Sequence, residues 1–190
     1  MTFVEPPWRS PLDADACIAA IPKDATITGM FPEGVAQLGR DRGHTIASAR
    51  ARYTPFQAYP LAEHCRILVE VAQKIFPRRS LRESLRRLGR GAPHVLMRST
   101  VGRVVLGSAE GPIATLEAMA RSYMLHMRPG TLAVERDSDQ SVVIHLDAIY
   151  NFLDSHNVGV FEGVLRHAGV ESVIRIHSYS PTKADFFCEW

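Results

Sequence analysis

The sequence has little that supports covalent or metal chemistry. Its three cysteines, Cys17, Cys65 and Cys188, are odd in number and far apart. That speaks against a disulfide framework and fits the reduced thiols of a cytoplasmic protein. No Cys-x-x-Cys, His-x-x-x-His or His-Glu-x-x-His occurs, so no metal site is expected. Glu63, His64 and Cys65 are adjacent, but neighbours on a helix point about 100° apart and do not converge on one ion. Gly-x-Ser-x-Gly is absent, and Gly89-Arg90-Gly91 lacks the further glycines of a phosphate loop. Apolar runs such as Val101 to Leu106 fall well short of the ~20 residues of a spanning helix. The first residues carry neither the basic flank nor the apolar stretch of a secretory signal. Non-catalytic, with no cofactor, is the expectation these absences set. Only Asp147, Asp154 and His156, close in sequence, stand as polar groups that folding can gather.

What is present is an ordinary globular composition with uneven charge. Apolar residues make up 46 % of the 190, enough for one core-forming domain. Residues 40–105 hold fourteen basic and four acidic residues, while the flanking stretches are net acidic. Such a middle section suits an anionic partner or, more simply, attraction between parts of the same chain.

Periodicity places the elements. Residues 1–12 are proline-rich and read as an irregular extension, and residues 13–190 as one α+β domain. Asp13 caps a short helix to Ile21. Ala25 to Phe31 alternates as a strand, Glu33 to Leu38 reads as a helix, and His44 to Arg52 as another. From Pro60 to Phe76, Leu61, Cys65, Leu68, Ala72 and Ile75 form one apolar face. Ser80 and Glu83 make a capping box, followed by the stripe Leu81, Leu85 and Leu88. Val95 to Leu106 reads as mixed and partly helical. Pro112 opens a helix stopped by Pro129-Gly130. Thr131 to Asp137 and Ser141 to Asp147 read as a hairpin, and Val170 to Tyr179 with Ala184 to Trp190 as a second strand pair. A helix capped at Asp154 or Ser155 lies between them. The order predicts an N-terminal helical half packed on a C-terminal antiparallel sheet of about four strands with an inserted helix.

Two groups stand out as candidate sites. Tyr53, Phe56 and Tyr59 cluster around Pro55 before the longest amphipathic helix, where they either anchor a loop or line a pocket. Arg103, a charge in the apolar run Val101-Gly-Arg-Val-Val105, needs a partner such as Glu70 or an outlet to solvent, and is the candidate polar anchor for a ligand there. Arg82, Arg86, Arg87 and Arg90 share the polar side of one helix. They read as a solvated face, or alternatively as a surface for nucleic acid or an acidic protein. Gly159 and Gly163, four apart, imply close packing of their helix against a neighbour.

The stretches Thr28-Gly-Met-Phe31, Arg52-Tyr-Thr-Pro-Phe-Gln-Ala-Tyr-Pro-Leu61, Ser80 to Arg90, Gly102 to Leu106, Gly159-Val-Phe-Glu-Gly163 and Ala184-Asp-Phe-Phe-Cys-Glu-Trp190 resemble a myxobacterial family of paralogous proteins of unknown function. More distantly, the C-terminal order resembles the superfamily of haem–nitric-oxide sensors, vinyl-reductase-like ligand-binding domains and TRAPP tethering subunits. That resemblance implies helices on an antiparallel sheet, a pocket between them in some members, and frequent homodimers. The sensor relatives place a haem-ligating histidine well upstream of the Pro-Gly, and a Tyr-x-Ser-x-Arg clamp for the propionates. Here His126 lies three residues before Pro129 and His145-Leu-Asp-Ala-Ile-Tyr150 holds no clamp, so haem is not expected. The resulting expectation is a regulatory or scaffolding module that binds a small apolar ligand or a protein partner as a homodimer.

Overall fold

The computed structural model describes residues 11–97, 107 and 109–190. Helices dominate the N-terminal half and an antiparallel four-stranded sheet the C-terminal half, as the periodicity predicts. Helix α1 (Ala14–Ala19) opens on Asp13, whose carboxylate accepts from the Ala16 N–H at 2.9 Å. Strand β1 is only Thr26–Thr28, because helix α2 (Met30–Asp41) already begins at Met30 and runs through Gly39. The segment from His44 to Arg52, expected to be helical, is a succession of turns. Glu70 organises it by accepting from the backbone N–H groups of Ala47 and Ser48, both at 2.8 Å. A carboxylate that satisfies loop donors removes any need for a helix there.

Helix α3 (Leu61–Ile75) follows strand β2 (Ala58–Pro60) and buries Leu61, Cys65, Leu68 and Ala72 completely. Helix α4 (Leu81–Arg90) starts at Ser80, whose hydroxyl accepts from the Glu83 N–H at 3.3 Å, and Leu85 and Leu88 turn inward. Helix α5 (Ala92–Met97) is short, and α6 (Gly111–His126) runs into strand β3 (Met127–Arg128). A small antiparallel sheet ordered β2-β1-β3, not foreseen from the sequence, ties α3 and α6 to β1. Two- and three-residue strands leave no alternation to read.

The large sheet is ordered β4-β5-β7-β6, from β4 (Thr131–Arg136), β5 (Ser141–Asp147), β6 (Val173–Ser180) and β7 (Lys183–Glu189). The inserted helix has two parts: a π-helical turn over Leu153–Asn157 and helix α7 (Val158–His167). Just before it, Phe152 has φ 58°, a left-handed conformation that costs a bulky residue about 1–3 kcal/mol.

Two apolar cores result. One joins α1, α2, α3 and α4 around Ile27, Leu61, Leu68, Val71 and Leu85, and it includes Phe152. The other joins α6, α7 and the inner sheet face around Leu116, Ile144, Phe161, Ile176 and Phe186, with Phe161 and Phe186 edge-to-face at 5.0 Å. Tyr123 of α6 packs against both. Among the described residues no helix is long and apolar enough to cross a membrane.

Candidate functional site

The aromatic cluster singled out by the sequence is divided by the fold. Tyr53 and Tyr59 are buried and meet edge-to-face at 4.9 Å. The Tyr53 hydroxyl donates to Glu63 at 2.6 Å, and the Tyr59 hydroxyl accepts from the Thr54 N–H at 2.9 Å. Arg50 closes the group with a two-nitrogen pair to Glu63 (2.8 Å each) and its guanidinium 5.1 Å from the centre of the Tyr59 ring. The hydrogen bond and charge of Arg50 hold the Glu63 carboxyl below its usual range, while burial pushes the Tyr53 phenol up to about 12. The two tyrosines thus anchor the loop, and Phe56 projects from the turn, 69 % exposed. Arg103 lies outside the described residues. Glu70, its suggested counter-ion, already serves Ala47, Ser48 and Lys74.

The arginine row turns inward instead of facing a partner. Arg82 pairs with Asp154 of the π turn. Arg86 and Arg90 both pair with Glu162 of α7, at 2.5 Å each. Glu162 is itself buried. Arg87 pairs along its own helix with Glu83 at 2.7 Å. Three of the four charges that suggested an anionic partner therefore bind α4 to the inserted helix, which corrects the reading of this face as a nucleic-acid or acidic-protein surface. Part of the excess positive charge of the middle section, that of Arg82, Arg86 and Arg90, meets acids from the last third of the same chain.

Glycines make this approach possible. A β-carbon at Gly159 would collide with the Arg86 carbonyl oxygen, one at Gly163 with that of Arg90, and one at Gly89 with that of His156. Helices α4 and α7 therefore cross with their backbones touching, as the Gly159–Gly163 spacing implies. Since α4 belongs to the helical core and α7 to the sheet core, this crossing is the seam between the two halves.

Buried hydrogen-bonding groups without partners among the described residues include two imidazoles of the same region. His64 (3 % exposed) comes from α3 and His156 (7 %) from the π turn. The Nδ1 atoms of both, and the hydroxyls of Ser155 and of Ser122 on α6, have no hydrogen-bond partner. Burial drives the His64 imidazole down to about 3, with further help from His156 nearby, and burial alone drives His156 down to about 4. Both rings are therefore neutral near pH 7. Asn157 donates to Asn151 at 3.1 Å, and the Tyr123 hydroxyl lies 3.5 Å from the same Asn151 oxygen. Buried polar atoms are nearly always paired in native proteins, so these orphans among the described residues mark groups that a bound molecule or a rearrangement would satisfy.

The sequence offered one signal for this seam, the Gly-x-x-x-Gly, and one that is clear only in the fold. In Glu63-His64-Cys65, Glu63 turns to the tyrosine loop, Cys65 to the helical core and His64 to the seam. Asp147, Asp154 and His156 are not brought together: Asp147 pairs with Lys183 (2.8 Å) and Asp154 with Arg82. Among the described residues no group of three or more His, Cys, Asp or Glu side chains has metal-binding geometry. Two open depressions lie elsewhere. One, of about 420 Å³, borders Asp24, Thr26, Met127 and Arg128. The other, of about 680 Å³, runs between α6 and β4.

The fold is that of the H-NOX proteins. The chain is similar to an H-NOX protein from K. algicida (15 % identity, TM-score 0.65, covering 86 % of this chain and 96 % of that one). It is also similar to a mutant of the T. Tengcongensis H-NOX (14 %, 0.67, 86 % and 97 %) and to an H-NOX protein from S. oneidensis (11 %, 0.62, 86 % and 98 %). No curated protein matches the sequence. A family profile described as "Protein of unknown function (DUF2378)" matches residues 20–190, from the end of α1 to the last residue, and the chain accordingly belongs to that family.

Proposed function

We propose that this protein is a non-catalytic regulatory module of H-NOX fold in which the seam between the helical half and the sheet half responds to a small molecule or a protein partner. The observation that carries this reading is the set of buried atoms on His64, His156 and Ser155, unpartnered among the described residues, where two otherwise apolar cores meet. Such groups cost free energy when left unpaired, so a molecule that supplies their partners binds with that cost removed. The left-handed Phe152 and the π turn beside it are an element that a small rearrangement can relax. The engagement of Asp147 with Lys183 and of Asp154 with Arg82, which leaves neither carboxylate to His156, supports a non-catalytic role.

The K. algicida relative is an Fe(II) protein, and haem distortion is a property studied in the H-NOX family. The residues of this chain do not fit that group. His126, the one histidine of α6, shares a hydrogen bond with the Thr28 hydroxyl at 3.2 Å and packs 5.7 Å from the Phe31 ring. The face that α6 presents to the sheet core carries Leu116, Met119 and Ala120 instead, and His64 and His156 are enclosed by side chains. Tyr150, at the place where the clamp would be sought, packs on the helical core.

Thermal unfolding with a panel of small neutral molecules bearing one hydrogen-bonding group (phenol, indole, short aliphatic alcohols) tests the ligand reading. A saturable rise in melting temperature, lost in His156→Leu, is expected, because a ligand that binds only the folded state stabilises it by mass action. No rise with any member overturns it. Haem reconstitution should give no specific Soret band, and a band abolished by His126→Ala overturns the argument against haem.

A further inference from the structure

The groove between α6 and β4 carries an inference about how copies of this chain meet. Its walls are Glu117, Ala120, Arg121, Met124 and Leu125 on the helix and Leu132 and Val134 on the strand. Leu125 is 73 % exposed and Met124 also faces solvent, which is unusual for large apolar side chains placed side by side.

The groove ends at a sheet edge whose two charges, Glu135 and Arg136, lie at its far end and are engaged by His145 and Asp139. Strand β6, at the opposite edge, shifts register between Ser178 and Ser180, a device that discourages edge pairing. Strand β4 is regular: each residue from Thr131 to Arg136 has its partner on β5, with no bulge and no proline. Among the described residues its other edge pairs with nothing.

We infer that a second copy of this chain occupies the groove, with the β4 strands of two copies pairing antiparallel across a two-fold axis at Ala133. Antiparallel partners directly opposite one another share a face of the sheet. An axis at Ala133 therefore sets Leu132 of each copy opposite Val134 of the other, both on the apolar face that lines the groove. Thr131 then lies opposite Glu135 on the outer face. The four-stranded sheets join into one of eight strands, and the exposed ends of α6 are covered. The charges favour self-association over a strongly charged partner. The groove holds one acid and one base, Glu117 and Arg121, already 3.8 Å apart on α6, so two copies approach without net repulsion and nothing selects a cationic or anionic ligand. The contact is isologous and closes on itself, giving a dimer and not a filament. This names a partner within the reading above but does not use the seam, so its failure leaves the ligand experiments unaffected.

Sedimentation equilibrium of the full chain up to roughly 0.1 mM, where a micromolar Kd fills the dimer, tests the association. The native chain is expected to dimerise and Leu125→Glu to remain monomeric. Register is tested separately with the exposed positions Ala133→Cys and Glu135→Cys under mild oxidation. Ala133→Cys, on the axis, should form a disulfide-linked dimer and Glu135→Cys alone should not, because its opposite residue is Thr131. A native chain that is monomeric throughout overturns the proposal. So does a dimer in which Ala133→Cys fails to cross-link, or in which Glu135→Cys links as readily.

Discussion

In the helical half, Leu61, Leu68, Val71 and Leu85 meet with no exposed surface, and in the sheet half Ile144, Phe161, Phe186 and Cys188 do nearly the same. Where the halves join, the contacts are of another kind: touching backbones at Gly89, Gly159 and Gly163, a buried glutamate held by two arginines, and imidazole and hydroxyl groups with no partner. Apolar cores resist change because any shift opens a cavity. A seam of directional polar contacts is held by specific partners and not by bulk packing, which is why the proposed response is placed at this boundary. The comparison also explains the uneven charge of the sequence. Three arginines of the basic middle section, Arg82, Arg86 and Arg90, form half of an internal contact whose acids, Asp154 and Glu162, come from the last third.

The largest effect that sharpens this contrast should come from Glu162→Ala. Removing the shared acid leaves Arg86 and Arg90 at the seam without their partner, and a loss of about 3–5 kcal/mol is expected from urea denaturation. A loss below about 1 kcal/mol, the scale of a surface pair, would mean that the seam is not buried in solution. Next is acid. His64 and His156 are held far below the ordinary 6.5, so the unfolded chain takes up protons that the folded chain refuses. Stability is then fully present above pH 6.5 and is lost as pH falls toward 4 and 3. At pH 5 the loss approaches about 2 kcal/mol for each histidine. His64→Leu together with His156→Leu should flatten that slope. A slope unchanged in the double variant would place the acid sensitivity elsewhere.

A smaller effect of opposite sign is expected from Ser155→Ala. Deleting an unpartnered buried hydroxyl should stabilise the ligand-free protein by up to about 1 kcal/mol, read as a rise in melting temperature. Destabilisation would show that the hydroxyl is already satisfied. The smallest effect lies on the outer face of the sheet. His145 bonds Asp185 at 2.8 Å and Glu135 at 3.1 Å, and the Asp185 bond above all raises its pKa. This stability is present below the ordinary histidine range and is lost as pH rises through the raised value, the reverse of the seam. His145→Gln should therefore cost about 0.5 kcal/mol or less at pH 6 and nothing at pH 9, since the ring is well exposed.

Much of the fold was legible because local rules decided it. The face of α3, the Ser80 cap of α4 and the alternation of β5, β6 and β7 each need only the residues within the element. Legibility failed where distant groups intervened. The segment 44–52 is held in turns by Glu70, more than twenty residues away, and β2 and β3 exist only because β1 lies between them. For the candidate site, the sequence marked Tyr53, Phe56 and Tyr59 as one cluster, yet Glu63, Arg50 and the Thr54 backbone bury two of them and leave Phe56 outside. It marked the arginine row but not its direction, because a helix wheel separates polar from apolar sides without saying which acids lie opposite.

By itself, then, the sequence determined the element order, the apolar faces, the helix caps and, through Gly159 and Gly163, that one helix would pack at backbone distance. These follow from periodicity and from side-chain size, which are properties of neighbouring residues. Only the tertiary structure decided that Arg82, Arg86 and Arg90 would turn inward, that His64 and His156 would be enclosed and neutral, and that β4 would be left, among the described residues, as a regular unpaired edge beside Met124 and Leu125. Burial, charge pairing and strand adjacency depend on which distant segments meet, and no local pattern carries that information.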